Sequence, residues 1–503
     1  MSRPNFVFIM TDTQGANVVG CYGRPEMRTP RIDGLAAEGV RFERAYSTFP
    51  VCTPGRSALF TGVYPSFNGA WANELPLGAN VRTMGERFRD LGYATAYTGK
   101  WHLDGHDYFG TGECPEGWDP AMWYDGKRYL DDLSDDEIQL WRRGLGSVEA
   151  LKEHGIGPEF TWGRRVSDKA IDWIEKRAAG DDPFLLVVSY DEPHGPCTCP
   201  AEYVEPLVEH DYDLGPGAFD DLADKPAHHR AWAAACGKTQ TEGKVRKAMY
   251  FGCQSFVDNE IGRVIGAVDR FARDDTVVIF TSDHGTMMGA HGITNKGPVM
   301  YEEITRIPLV VRMPGGEGPG RVDGTLASHV DLLPTMLELA GEGVPDLLSG
   351  ESLAPVLRGD ETDADRSVVI EFERFDVDND AVGEFLPIRC IVRGDYKLAV
   401  NLLDSVDELY NLADDPAEVV NLIDDASHAE ARDRLHDELL EWMDRTSDPF
   451  RGPCWANRPW RSIEFRDGFR GGKFRPRKPD GYAPPYRMYS TAQPATAYEA
   501  EHS

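Results

Sequence analysis

The sequence predicts an α/β protein: a large mixed, mostly parallel sheet sandwiched by helices, with a smaller C-terminal α+β subdomain. Three observations predict it. From residue 5 to about 340, short continuous apolar runs rich in β-branched residues alternate with amphipathic stretches. Strands that read as unbroken apolar runs are buried on both faces, as in a parallel sheet covered by helices. From about 341 the pattern changes to Gly-, Pro- and Asp-rich loops with separated strand candidates. The composition, 41% hydrophobic and 10% aromatic over 503 residues, supplies a large core.

Taken in order, the strand candidates of the first part are residues 5–10, 93–98, 184–189, 276–281 and 307–312. Amphipathic helices are expected over 31–38, 83–91, 167–178, 246–271 and 331–340. A short helix follows Cys52: Pro54 suits a first helical turn and Gly62 a C-terminal end, with Cys52 expected just ahead of the helix. The second part offers strands at 367–372, 388–392 and 397–402, then a long helix over 428–444. The domain organisation expected is 1–340 for the catalytic domain, 341–450 for the α+β subdomain and 451–503 for a C-terminal arm.

That arm carries a charge of +5 against −36 for the rest of the chain, and the total is −31. Trp455, Trp460, Phe465, Phe469, Phe474 and Tyr482 are too apolar to leave in water, so the arm is expected to lie on an acidic surface at a subunit interface. A homo-oligomer is the expected assembly. So acidic a chain has no global field that draws it to nucleic acid or to an anionic membrane, and neither is an expected partner. No apolar run approaches the roughly 20 residues of a membrane span. The first residues lack the apolar core of a signal peptide, so a cytoplasmic location is expected. The nine cysteines are odd in number and scattered, which is not a disulfide framework, and Cys197 and Cys199 read as structural.

Four strand candidates end in ionisable residues. They run into Thr11-Asp12-Thr13-Gln14, Gly99-Lys100-Trp101-His102, Asp191-Glu192-Pro193-His194 and Ser282-Asp283-His284-Gly285. Ligands of open α/β sheets bind beyond the carboxyl ends of the strands, so these four segments should share one rim. Cys52, next to a helix N-terminus, would face an anion or developing negative charge.

Cys52-Thr53-Pro54-Gly55-Arg56 followed by Ser57-Ala58-Leu59-Phe60-Thr61-Gly62 resembles the signature of the type I sulfatases, which share the alkaline-phosphatase-like fold. The likeness continues in order through Thr11-Asp12, the Gly99–His102 segment, Glu192-Pro193-His194, the Ser282–Gly285 segment, Asn295-Lys296-Gly297 and Tyr301-Glu302-Glu303. It reaches Glu408–Leu412 and spans about residues 3 to 425. The resemblance implies a sulfuric ester hydrolase in which a formylglycine-generating enzyme oxidises Cys52 to formylglycine. An ordinary Cys or Ser would form a sulfo-enzyme that water releases with difficulty. One hydroxyl of a hydrated aldehyde attacks sulfur, and the other collapses to expel sulfate.

By the same resemblance Arg56 orients residue 52, and Asp12, Cys52, Asp283 and His284 hold one divalent metal. Calcium is the family's ion. Two departures, Thr13 where the family has a second Asp and His284 where it commonly has Asn, leave room for manganese or magnesium. Gln14 is the alternative donor for the Thr13 vacancy. Lys100, His102, His194 and Lys296 resemble the sulfate clamp, with His194 the expected acid for the departing alcohol and Lys296 its competitor. His291 reads as structural or supporting.

Two other functions fit part of this pattern: a phosphonate monoester or phosphodiester hydrolase of the same superfold, and a non-catalytic metal-binding protein whose Cys52 stays unmodified. The intact Gly99–His102 segment favours the sulfatase. A carbohydrate sulfate is favoured over aryl or alkyl sulfate, with specificity expected in residues 105–165 and in the arm.

Overall fold

The computed structural model describes residues 3–461 apart from 238–239, 241, 317–319, 361–364, 377–384 and 405. Its strands in chain order are β1 (Asn5–Thr11), β2 (Val40–Tyr46), β3 (Ala94–Gly99), β4 (Phe184–Ser189), β5 (Tyr212–Asp213), β6 (Lys244–Val245), β7 (Thr276–Ser282), β8 (Arg306–Ile307), β9 (Leu309–Arg312) and β10 (Arg321–Ser328). Eight of them form one sheet in the order β10-β2-β9-β7-β1-β4-β3, with β8 paired to β2; β5 and β6 make a separate two-stranded ribbon. β1 lies at the centre, parallel to both neighbours, with Ile9 opposite Val188 on one side and Phe280 on the other. β9 is antiparallel to β7 and β2, so the sheet is mixed and mostly parallel, the expected class.

Alternation along β1 builds two cores. Phe6, Phe8 and Met10 face one layer with Leu59, Phe60 and Leu333, whereas Val7 and Ile9 face another with Val166, Val257 and Ile261. Each fully buried large side chain contributes about 1.5–3 kcal/mol, so a two-sided strand is held from both faces. The flanking helices include α1 (Pro30–Ala37), α2 (Cys52–Thr61), Trp162–Arg177, Ala248–Phe271 and Leu332–Leu339.

Two expectations are corrected here, and two strands are added. The run 307–312 is two strands, because Pro308 cannot donate to the ladder and divides β8 from β9. β2 and β10 lie outside the expected strands; both place charged residues among apolar ones, and their partners in the sheet bury them. Cys52 is the first residue of α2 and not its predecessor; Val51, in extended backbone, is the N-cap.

A second, antiparallel sheet follows: β11 (Ser367–Phe372), β12 (Ile388–Arg393), β13 (Tyr396–Asn401) and β14 (Glu408–Asn411). One face packs on the helix Ala429–Arg445 through Leu398, Val400, Leu435 and Leu439. The other meets Tyr46, Phe49 and Val51, just before α2. α2 is therefore enclosed by both sheets' layers, and all ten of its residues are buried.

The start of the arm lies on this subdomain. Trp455 is fully buried, Arg458 pairs with Asp407 at 2.7 Å, and Trp460 donates its indole N–H to the same carboxylate at 2.8 Å. Phe465, Phe469, Phe474 and Tyr482 lie outside the described residues. All nine cysteines are free, and no helix among the described residues is long and apolar enough to cross a membrane.

Candidate active site

β1, β3, β4 and β7 are parallel neighbours, so their carboxyl ends share one edge, and the four polar segments converge there. β1 delivers Asp12, β3 delivers Lys100 and His102, β4 delivers Asp191 and His194, and β7 delivers Asp283 and His284. Gly99 makes the turn from β3: its φ is +110°, and a Cβ there would lie 1.8 Å from the Ser189 carbonyl oxygen. α2 adds Cys52 and, one turn on, Arg56.

Ligand atoms of Asp12, Cys52, Asp283 and His284 all lie within 4.8 Å of one another, and all four residues are buried. Cys52 Sγ is 3.7 Å from Asp12 Oδ1 and 3.2 Å from His284 Nε2. Two carboxylates, an imidazole and a sulfur position, drawn from separate elements and shut off from water, suit a divalent ion. Burial and the neighbouring Asp12 push the Cys52 thiol up to about 11, so as a plain cysteine it is neutral and poorly nucleophilic.

Arg56 is fully buried and donates Nε to Asp283 Oδ2 at 2.8 Å, Nη2 to Asp12 Oδ2 at 3.1 Å, and Nη1 to both the Lys100 carbonyl and Ser189 Oγ at 2.8 Å. Two of these bonds end on the carboxylates and two on the Lys100 carbonyl and Ser189 Oγ, so Arg56 grips both acids one helical turn from residue 52. Burial would raise the Asp12 carboxyl, but Lys100, His194, Lys296 and Arg56 outweigh it and hold it well below the usual range. Asp283 is raised by burial and by Asp12.

The four clamp residues also meet here. Lys100 Nζ is 2.9 Å from Asp12 Oδ2 and 3.0 Å from Asp191 Oδ1. Lys296 Nζ reaches Cys52 Sγ at 2.7 Å and His284 Nε2 at 3.1 Å. His102 is buried with no hydrogen-bond partner at Nδ1, and burial with Lys100 nearby lowers its pKa well below the ordinary value. His194 is half-buried; its Nδ1 meets the Gly195 carbonyl at 2.8 Å, and burial followed by Lys100 brings it down to about 4. Lys296 thus lies against the sulfur of Cys52, and Lys100 against the metal-type donor Asp12.

Thr13 donates Oγ1 to Asp12 at 2.5 Å and its backbone N–H to Asp283 at 3.1 Å, so it orients both acids. The Gln14 side-chain oxygen accepts from Thr11 at 2.8 Å. His291 stands apart, stacked on Tyr301 at 3.8 Å and bonded to Asp220 at 2.7 Å. Three participants were not picked out from sequence. Asp191, the second partner of Lys100, stood in a strand-end segment and had a signal. Tyr250, which donates to the Thr13 carbonyl at 2.7 Å, and Asn73, which accepts from the Thr53 N–H at 3.0 Å, had none.

The family model Sulfatase matches residues 4–342, and that of N-sulphoglucosamine sulphohydrolase, C-terminal, matches residues 289–445. The chain is 50% identical to the uncharacterized sulfatase YidJ of Escherichia coli (strain K12), over 100% of this chain and 99% of the relative. It is 27% identical to an N-acetylglucosamine-6-O-sulfatase of Bacteroides thetaiotaomicron, over 89% and 87%. Among solved structures, one in complex with its substrate D-glucosamine-2-N,6-O-disulfate superposes with a TM-score of 0.72 at 23% identity, covering 89% of this chain and 99% of that one. A phosphonate monoester hydrolase of Agrobacterium radiobacter gives 0.68 at 24%, covering 88% and 96%.

Proposed function

This chain belongs to the sulfatase family and is a sulfatase, and from that premise we propose that it hydrolyses a carbohydrate sulfate monoester with formylglycine at position 52 and one divalent metal. The observation that carries the reading is the enclosure of Cys52 Sγ by Asp12, Asp283 and His284 with Lys296 at 2.7 Å. Oxidation of Cys52 by a formylglycine-generating enzyme is the maturation step proposed. Hydrated formylglycine would supply the attacking hydroxyl and, by returning to the aldehyde, the release of sulfate. Asp12, Asp283, His284 and residue 52 would hold the metal, which lowers the nucleophile's pKa and withdraws charge from sulfate oxygens. Calcium is the ion favoured by resemblance, with manganese or magnesium as the alternatives.

The remaining work falls to the chain's own groups. Arg56 and Thr13 fix the two carboxylates. Lys100, His102 and Lys296 bind sulfate oxygens, and Asp191 steers the Lys100 ammonium toward them. Lys296 lies against the nucleophile, which leaves the departing alcohol to His194. With Nδ1 tied to Gly195, His194 would serve the leaving oxygen through Nε2. A sulfate monoanion bound beside it raises its affinity for the proton that it passes to the leaving oxygen. The proposed catalytic unit is 1–340, with the subdomain 341–450 supporting α2 and the arm 451–503 beyond.

A carbohydrate is favoured because the relative from Bacteroides thetaiotaomicron is an N-acetylglucosamine-6-O-sulfatase. The second reading, a phosphonate monoester hydrolase, is favoured by one observation: Asp283-His284 with Thr13 leaves the donor set one carboxylate short. Mass spectrometry of the Cys52 peptide tests the modification. A panel of sulfated sugars, 4-nitrophenyl sulfate and phenyl phosphonate monoesters then separates the two. Faster cleavage of the phosphonate would overturn the sulfate assignment.

A further inference from the structure

We propose that Tyr108 is a specificity-determining residue: its ring walls the pocket for the alcohol part of the substrate and selects a cyclic leaving group over a linear alkyl one. The inference rests on the sulfatase reading of the site above.

Tyr108 bridges the two parts of the clamp. The Lys100 ammonium lies 4.8 Å from the centre of its ring, and the His194 ring lies 5.6 Å away at an interplanar angle of 43°. It therefore touches both the cation given to sulfate and the imidazole given to the leaving oxygen. The ring also packs on Phe109 at 4.3 Å and Trp141 at 6.1 Å, both buried, so it is held in place. Tyr108 itself is half-buried, and Gly105, His106 and Asp107 before it are exposed. The ring thus runs from the clamp to solvent alongside His194, whose side chain is 26% exposed, whereas Lys100 is sealed.

An ester oxygen placed at His194 must project its carbon skeleton toward that opening, along Tyr108. The C–H face of a pyranoside, or an aryl ring, covers an aromatic wall in one rigid contact. A linear chain offers no face and loses rotational freedom when pressed flat. Tyr108 is also a neighbour of Lys100, so its removal disturbs the clamp for every ester alike. A comparison between substrates separates the two effects.

The probes are cyclohexylmethyl sulfate and n-heptyl sulfate, primary esters of equal carbon number. For wild type, Tyr108→Phe and Tyr108→Leu, kcat and KM are measured, together with calorimetric Kd values for the same esters on the Cys52→Ala background. Tyr108→Phe should keep both esters within about twofold. Tyr108→Leu should lose about tenfold more on the cyclic ester, through KM and Kd, than on the linear one, whatever loss the two share through Lys100. Equal losses on both esters, or none, overturn the role of the ring. If Tyr108→Leu does not fold, wild type decides: a preference for the cyclic ester under about threefold overturns the proposal. A wild-type enzyme that cleaves no sulfate ester overturns the proposed function instead, and the Kd pair still decides for or against Tyr108.

Discussion

Arg56 makes its four hydrogen bonds from a position with no exposure, bridging two buried carboxylates that would otherwise repel each other. A lysine has one point charge where the guanidinium has a fork, so it cannot hold both acids. Arg56→Lys should lower kcat by about a hundredfold or more and reduce bound metal, read by elemental analysis of purified protein. Unchanged metal content would mean that the acids hold their places alone. Cys52→Ala should abolish turnover in a folded protein, and residual activity above a few per cent would sink the assignment of the nucleophile. A third residue sets a pH dependence of stability. Burial, with Asp191 beside it, raises the Glu192 carboxyl to about 8, while Oε1 accepts the Gly163 N–H at 2.8 Å and Oε2 has no partner. The folded chain then keeps a proton that the unfolded chain releases above about 4.3. Stability contributed by this proton is present below that value and falls as pH rises toward 8, by at most ~1.4 kcal/mol per pH unit. Glu192→Gln should leave the Tm near pH 4 unchanged and raise it at pH 8. A parallel Tm profile for both proteins would show that Glu192 is ionised throughout.

The helix Ala227–Cys236 braces the loop that carries Lys296. His228 Nε2 meets the Pro298 carbonyl at 2.8 Å, Thr294 Oγ1 donates to Cys236 Sγ at 3.2 Å, and a Cβ on Gly297 would lie 2.9 Å from the Trp232 ring. Gly297→Ala should therefore displace Lys296 from Cys52 and lower kcat about tenfold or more. Trp232→Leu in the same chain should restore most of the rate; no recovery would mean that the loop is set by its own backbone. Nothing in the sequence announces this brace, because Trp232 and Gly297 are distant in the chain and each has an ordinary local context. The start of α2 was only partly legible for a related reason. Pro54 and Gly62 mark a helix, but whether Cys52 lies inside or ahead of it depends on Val51 being held extended against the second sheet.

Across the whole chain, net charge is uneven: residues 451–503 carry +5 and the remainder −36. Stripping metal with a chelator should remove activity and lower the Tm, because Asp12 and Asp283 would face each other with only Arg56 and lysines between them. Equal Tm values with and without chelator would mean that the donor set is empty in the native enzyme. Truncation after Ser447 should destabilise strongly, since it uncovers the seat of Trp455 and leaves Asp407 buried without Arg458, a loss of about 3–5 kcal/mol for the broken pair alone. A Tm unchanged by that truncation would show that the arm's first residues add nothing, and light scattering of the same protein tests the expected homo-oligomer.

What the sequence by itself determined is whatever neighbours in the chain decide. Continuous apolar runs on β1, β4 and β7 dictate a two-sided sheet, and polar residues at their ends dictate a shared rim once the strands are parallel. The series from Thr11-Asp12 to Asn295-Lys296-Gly297, with Cys52–Arg56 within it, identifies the chemistry. The charged strands β2 and β10 escaped that reading, because their burial comes from sheet partners and not from their own pattern. Tertiary structure alone decided that Arg56 grips Asp283, 227 residues away. It likewise paired Asp191 with Lys100 and set Tyr108 between Lys100 and His194. Each of these contacts crosses between elements that the topology brings together, and short-range periodicity carries no information about which side chains will meet there.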